Sequence, residues 1–216
     1  MNSRFNLMFG LLLTISALVN SLVAMPANAK VNNLQTIVVY GDSLSAAYGI
    51  KQDEGWVALL QQRIALKKLN FQVINASISG ETTSGGLSRF ANMLTAQKPN
   101  ILLIALGGND GLRGLKNDEI FNNLDAMIKQ AKAQKVQVLL FEIKIPPNYG
   151  IQYSRQFSEN YQVLAKKHSI KLLPFFLEGV AGNPKLIQAD GLHPLAIAQP
   201  KILENVWPTV IKALKS

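Results

Sequence analysis

The 216-residue chain contains no cysteine, so no disulfide can brace the fold and no lipid can be attached through a thiol. Stability must come from the core. Histidine is nearly as scarce, with two in the whole chain, so chemistry that needs an imidazole must use His168 or His193. Charge is missing from one long stretch. After Arg4 an apolar run spans Leu7 to Val23 and ends near Ala27-Asn28-Ala29, the three-part pattern of a secretory signal peptide with cleavage expected after Ala29. A membrane anchor is the rival reading, since about 20 apolar residues span a bilayer, but Asn20, Pro26 and the small-residue site favour cleavage. The expected division is a signal peptide over 1–29 and one domain over 30–216, exported across the inner membrane to the periplasm. Internal repeats, low-complexity tracts and interdomain linkers are also missing.

Acidic residues are outnumbered, 13 against 22 Lys and Arg, and loss of Arg4 with the leader takes the net charge from +9 to +8. Such an excess attracts anionic surfaces. The lysines are scattered and fall mostly on helical stretches, so they read as solvated helix faces rather than as a nucleic-acid site.

What is present is alternation. Runs rich in β-branched and other apolar residues at Thr36–Tyr40, Phe71–Ser77, Ile101–Leu106, Val136–Phe141 and Ile170–Leu173 predict five strands. Between and after them, Gly55–Lys68, Thr83–Ala96, Asp118–Gln134, Ser154–His168 and Ala196–Leu214 predict helices, the last interrupted by Pro200 and Pro208. Continuous apolar strands joined by helices imply a parallel sheet covered on both faces by right-handed crossovers. The predicted fold is therefore α/β: a three-layer α/β/α sandwich with a five-stranded parallel sheet. In such sheets the site lies outside the carboxyl ends of the strands. Gly41-Asp42-Ser43, Ser79-Gly80 and Gly107-Gly108-Asn109-Asp110 all begin where a strand stops.

A serine immediately after a buried strand is exposed yet rigidly held, but its hydroxyl needs a base and the base needs an orienting carboxylate. His168 lies at a basic helix end, where a solvated face or a favourable contact with the helix dipole explains it. His193 lies in Ala189-Asp190-Gly191-Leu192-His193-Pro194, where the D-x-x-H spacing can fold one carboxylate onto the ring. Taken alone, Asp-Gly there is equally an ordinary turn or cap signal. Joined to Ser43, it gives Ser43, His193 and Asp190 as candidate nucleophile, base and orienting group. Candidate donors to an oxyanion are the backbone N–H of Ser43, the backbone N–H of Gly80 and the Asn109 amide, with turn glycines and a helix cap as the structural alternatives. Ile145, Pro146, Pro147, Tyr149, Phe175 and Phe176 are candidates for an acyl groove or for loop packing.

Gly41-Asp42-Ser43-Leu44, Gly80, Gly108-Asn109-Asp110 and Asp190-Gly191-Leu192-His193 occur in the order and rough spacing of four sequence blocks, and on them the chain resembles the SGNH, or GDSL, hydrolases. Asn75-Ala76-Ser77-Ile78-Ser79-Gly80-Glu81-Thr82 and Leu173-Pro174-Phe175-Phe176 are similar to the bacterial periplasmic thioesterase I/protease I/lysophospholipase group and related arylesterases. The resemblance covers essentially the whole predicted mature chain. It implies a flavodoxin-like fold, Ser43 as nucleophile, His193 as general base and acid, Asp190 as its partner, and Ser43, Gly80 and Asn109 as the oxyanion hole. It also suggests that Glu81 and Thr83-Ser84-Gly85-Gly86 bear on substrate preference. Ser45 stands where a lipase-type G-x-S-x-G elbow has its second glycine, which points away from that fold.

The expected activity is hydrolysis of acyl esters and thioesters through an acyl-enzyme, without metal or organic cofactor. Lysophospholipids, acyl thioesters and aryl esters are the substrates the resemblance implies. The expected partners are these small molecules and, at most, peripheral anionic membrane; a monomer is expected. A carbohydrate or peptidoglycan O-acetyl esterase is the alternative enzyme. A non-catalytic lipid-binding envelope protein is the alternative of another class.

Overall fold

The computed structural model describes residues 34–215, and the predicted signal peptide lies outside them. Five strands form one parallel sheet: β1 (Gln35–Gly41), β2 (Phe71–Asn75), β3 (Ile101–Ala105), β4 (Gln137–Phe141) and β5 (Lys171–Leu173), in the order β2-β1-β3-β4-β5. The helices are α1 (Trp56–Leu66), α2 (Thr83–Gln97), α3 (Gly108–Leu112), α4 (Asn117–Ala133), α5 (Ile151–His168) and α6 (Gln199–Ala213). Short 3-10 turns cover Gln52–Glu54, Pro147–Tyr149 and Ala196–Ala198.

Direction of travel dictates the layers. The chain moves outward from β1 to β2, then reverses across β1 to β3 and continues to β4 and β5. Right-handed crossovers therefore put α1 on one face and α2, α4 and α5 on the other. The observed packing agrees: α2 meets α4, α4 meets α5, and α6 returns beside α1. Burial follows position in the sheet. Ile37 to Tyr40 and Leu102 to Ile104 are wholly buried in the central strands, whereas the edge strand β2 is only half-buried.

Several expectations need correcting. Phe71–Ser77 pairs regularly only as far as Asn75, although Ala76 N–H to Val39 O and Ile78 N–H to Gly41 O carry the chain along β1. The last helix is not interrupted: Pro200 sits in its first turn, where no N–H is needed, and Pro208 is accommodated inside it. Burial of Ile202, Leu203, Val206, Val210 and Ala213 on one face outweighs the single bond that Pro208 cannot donate. His168 is not on a solvated face. It is buried, with Nε2 2.7 Å from Asp125 Oδ1, a carboxylate that Lys129 and Lys167 also contact at 2.7 and 2.8 Å. Burial works against the charge on Asp125, but hydrogen bonds from Lys129, Lys167 and His168 hold its carboxyl well below the ordinary range.

Candidate active site

The order of the strands reverses between β1 and β3, so the loops that follow them diverge and leave a crevice at the carboxyl edge. Gly41 pairs with Ala105, which starts the two loops from the same level. Ser43 leaves on one and Asn109 on the other. A Cβ on Gly41 would come within 2.9 Å of Ser45 Oγ and 3.1 Å of Ala105 O, so only glycine lets the turn fold this tightly.

The turn carrying Ser43 is fastened from several sides. Ser45 and Ala46 N–H donate to Asp42 O, and Leu44 N–H donates to Asp42 Oδ1 at 3.0 Å. Asn75 Nδ2 donates to Ser45 O at 2.7 Å, and Trp56 Nε1 donates to Leu44 O at 3.2 Å. Ser43 Oγ then stands 2.8 Å from His193 Nε2, and His193 Nδ1 stands 2.6 Å from Asp190 Oδ2. Oδ1 of Asp190 accepts the backbone N–H groups of Leu192 and His193 at 2.9 and 3.0 Å. With the His193 backbone N–H contributing most, then Leu192 N–H and the ring, the Asp190 carboxyl is pulled down to about 2. A carboxylate fixed in this way favours the tautomer with Nδ1 protonated, leaving Nε2 as acceptor toward the serine.

The oxyanion candidates gather beside Ser43. Gly80 has φ +80°, a conformation glycine adopts at low cost, and no atom would meet a Cβ there within 4 Å. Its backbone faces open cleft. Asn109 lies within α3 rather than capping it, because Gly107 is the N-cap. Its Nδ2 donates to Glu81 O at 2.9 Å and lies 3.4 Å from Asp42 Oδ2. Asp42 is buried without a salt-bridge partner among the described residues, and burial pushes its carboxyl up to about 6. Four loops thus bring Ser43, Gly80, Asn109, Asp190 and His193 together; all but Asp190 line one cleft of about 590 Å³.

The rest of that cleft is largely apolar. Ile145, Pro146, Phe175 and Phe176 line it as the sequence suggested, joined by Tyr48, Leu112, Ile143, Leu177, Ile187 and Leu192. Tyr149 does not line it and is exposed at the surface. Nor do Glu81 or the Thr83–Gly86 segment: Glu81 pairs with Arg89 at 2.6 Å, and Thr83 is buried against Asp110. Two supporting residues were missed. Tyr48 packs its ring on His193 with centroids 4.5 Å apart, and Gln188 Nε2 donates to both Tyr48 O and Pro194 O, tying the histidine loop to the serine loop. Neither carries a local sequence signal. Among the described residues no group of three histidines or carboxylates could hold a metal ion.

Residues 39–198 match the GDSL-like Lipase/Acylhydrolase family. The chain is 50% identical to the esterase TesA of Pseudomonas aeruginosa over 176 residues, covering 82% of this chain and 88% of that protein. It is 41% identical to the thioesterase 1/protease 1/lysophospholipase L1 of Escherichia coli, covering 78% and 80%. Among solved structures, TesA superposes with a TM-score of 0.80 over 83% of this chain and 99% of that one. The psychrotrophic esterase EstA of Pseudoalteromonas, in a form inhibited by monoethylphosphonate, is 42% identical and superposes with a TM-score of 0.81, covering 84% and 100%. With the family match spanning all four site loops, the chain belongs to the GDSL, or SGNH, hydrolases, and is a serine hydrolase of ester and thioester bonds.

Proposed function

We propose that Ser43 is the nucleophile, His193 the general base and acid, and Asp190 the group that orients the imidazole. The observation that carries this is the unbroken chain from Ser43 Oγ through His193 to Asp190, 2.8 and 2.6 Å long. As Ser43 Oγ bonds to the substrate carbonyl carbon, its proton passes to His193 Nε2. The Ser43 and Gly80 N–H groups and the Asn109 amide hold the oxyanion, each donor being worth roughly 2.7–4 kcal/mol in such sites. Collapse breaks the C–O or C–S bond to the leaving group, which takes the proton from His193. Water then repeats the sequence on the acyl-enzyme, releasing the acid and restoring Ser43.

Long acyl groups rather than acetate suit an apolar cleft of about 590 Å³, which favours acyl esters, thioesters and lysophospholipids over an O-acetyl substrate. Export to the periplasm is supported by Arg4, the Leu7–Val23 run and Ala27-Asn28-Ala29. The test is hydrolysis of p-nitrophenyl esters from acetate to palmitate by wild type and Ser43→Ala, with intact mass after treatment with a serine-reactive phosphonate. Expected are a loss of at least about a thousandfold in kcat for Ser43→Ala, one adduct on wild type and none on the variant. Full activity in Ser43→Ala would overturn the assignment.

A further inference from the structure

The described residues include nine large hydrophobic side chains that are exposed, and six of them stand in the loops, 3-10 turns and helix starts at the carboxyl edge of the sheet. Tyr48 and Leu192 line the cleft itself. Ile78 lies two residues before Gly80, Tyr149 and Ile151 follow the loop from β4, and Ile197 lies four residues after His193. Ile151 and Ile197 are 84% and 73% exposed. A soluble surface tolerates scattered apolar residues, but their concentration at the edge of the sheet that carries the cleft marks an interaction site.

Charge indicates which surface fits. Lys144 lines the cleft beside Ile143 and Ile145, with Nζ 5.4 Å from the Phe175 ring centroid. Arg113 reaches from the end of α3 to Gly80 O. Neither has a carboxylate partner among the described residues, whereas the nearby carboxylates of Asp190 and Glu81 are engaged by His193 and Arg89. Cations without a carboxylate partner, at the same edge of the sheet as the exposed aliphatic side chains, complement a surface that offers phosphate at one depth and hydrocarbon just below it.

We infer that the mouth of the cleft docks on an anionic lipid aggregate, with Ile78, Ile151, Leu192 and Ile197 entering the interface while Lys144 and Arg113 meet its phosphates. An acyl chain can then pass from lipid into the apolar cleft without crossing water. This deepens the esterase reading by naming how its lipid substrates are presented.

The test pellets the protein with vesicles of phosphatidylcholine alone, or of equal parts phosphatidylcholine and phosphatidylglycerol, for wild type, Lys144→Gln, the double variant Ile151→Ser/Ile197→Ser, and Leu66→Ser. Leu66 is 83% exposed but ends α1 at the opposite edge of the sheet, so its variant is a control for generic loss of apolar surface. Wild type and Leu66→Ser should partition to the anionic vesicles and be released by salt. Lys144→Gln should bind them about fivefold more weakly, and the double variant at least as much more weakly. Equal binding by all four proteins, equal wild-type binding to both vesicle types, or no binding at all would overturn the inference. Hydrolysis of soluble p-nitrophenyl butyrate, measured without vesicles, tests the esterase reading separately: activity there without vesicle binding removes only the docking face.

Discussion

Asp42 presents one carboxylate to two donors, the Leu44 N–H that shapes the Ser43 turn and the Asn109 amide of the proposed oxyanion hole. An asparagine has a single side-chain acceptor and cannot serve both. Whichever way its amide is turned, Asp42→Asn sets an NH₂ group against either Leu44 N–H or Asn109 Nδ2. The expected result is a fall in kcat of about ten- to a hundredfold, short of outright loss of an oxyanion donor, with KM changed much less because the apolar cleft is untouched. Steady-state kinetics on p-nitrophenyl butyrate check it, and a kcat within about twofold of wild type would remove Asp42 from the positioning of this site. The pairing of Ser43 with His193 was legible from the sequence because only two histidines exist and one follows an aspartate by three. Gly80 and Asn109 were candidates by their place after strands, and only the family resemblance singled them out from other glycines and asparagines. Gln188 and Tyr48 were invisible, since their work depends on a contact across about 140 residues that no local pattern encodes.

Elements transmit this order from one loop to the next. The first turn of α2 offers the orphan donors of a helix N-terminus; Thr82 Oγ1 accepts Gly85 N–H, while the buried Asp110 of α3 accepts both Thr83 N–H and Thr83 Oγ1–H. That carboxylate also complements the positive end of the α2 dipole. It thereby couples the Gly80 loop, which precedes α2, to the helix that carries Asn109. Thr83→Val keeps the shape, removes the 2.6 Å bond to Asp110 and strands the Asn123 amide that donates to Thr83 Oγ1. A loss of about 1–3 kcal/mol is expected, read as a lower denaturant midpoint, together with reduced kcat as Gly80 and Asn109 loosen; unchanged stability and kcat would disprove the coupling. Long elements were readable because β-branched runs and helical periods persist over several turns. Helix α3, five residues long, is too short to show a period. Pro208 misled because local propensity there is overruled by the apolar face that α6 buries against the sheet layer.

Across the whole molecule, three carboxylates, two buried and one exposed, set opposing pH dependences. Asp125 and Asp190 are held below their ordinary values by the cations and donors around them, so each contributes stability above the unfolded carboxylate range, and that contribution is lost as pH falls through it toward the folded value. Asp42 has the opposite sign. Burial raises its carboxyl from the ordinary 3.8 to about 6, so the folded state binds the extra proton between those values and stability declines as pH rises across them. At about 1.4 kcal/mol per unit this decline is of order 3 kcal/mol. Stability should therefore peak in mildly acidic solution and fall on both sides. Asp42→Asn carries no charge to bury and should abolish the fall on the alkaline side of the peak, leaving a variant more stable than wild type at neutral pH while less active. Asp125→Asn should instead lower stability at neutral pH, by freeing Lys129, Lys167 and His168 from their shared partner, and should converge with wild type in acid as the wild-type carboxylate is protonated. Urea unfolding of the three proteins across acid to neutral pH separates the two effects. A wild-type curve that rises steadily to neutrality, with Asp42→Asn parallel to it, would mean that the ionised Asp42 is stabilised by its surroundings and that the nucleophile turn is held without energetic conflict.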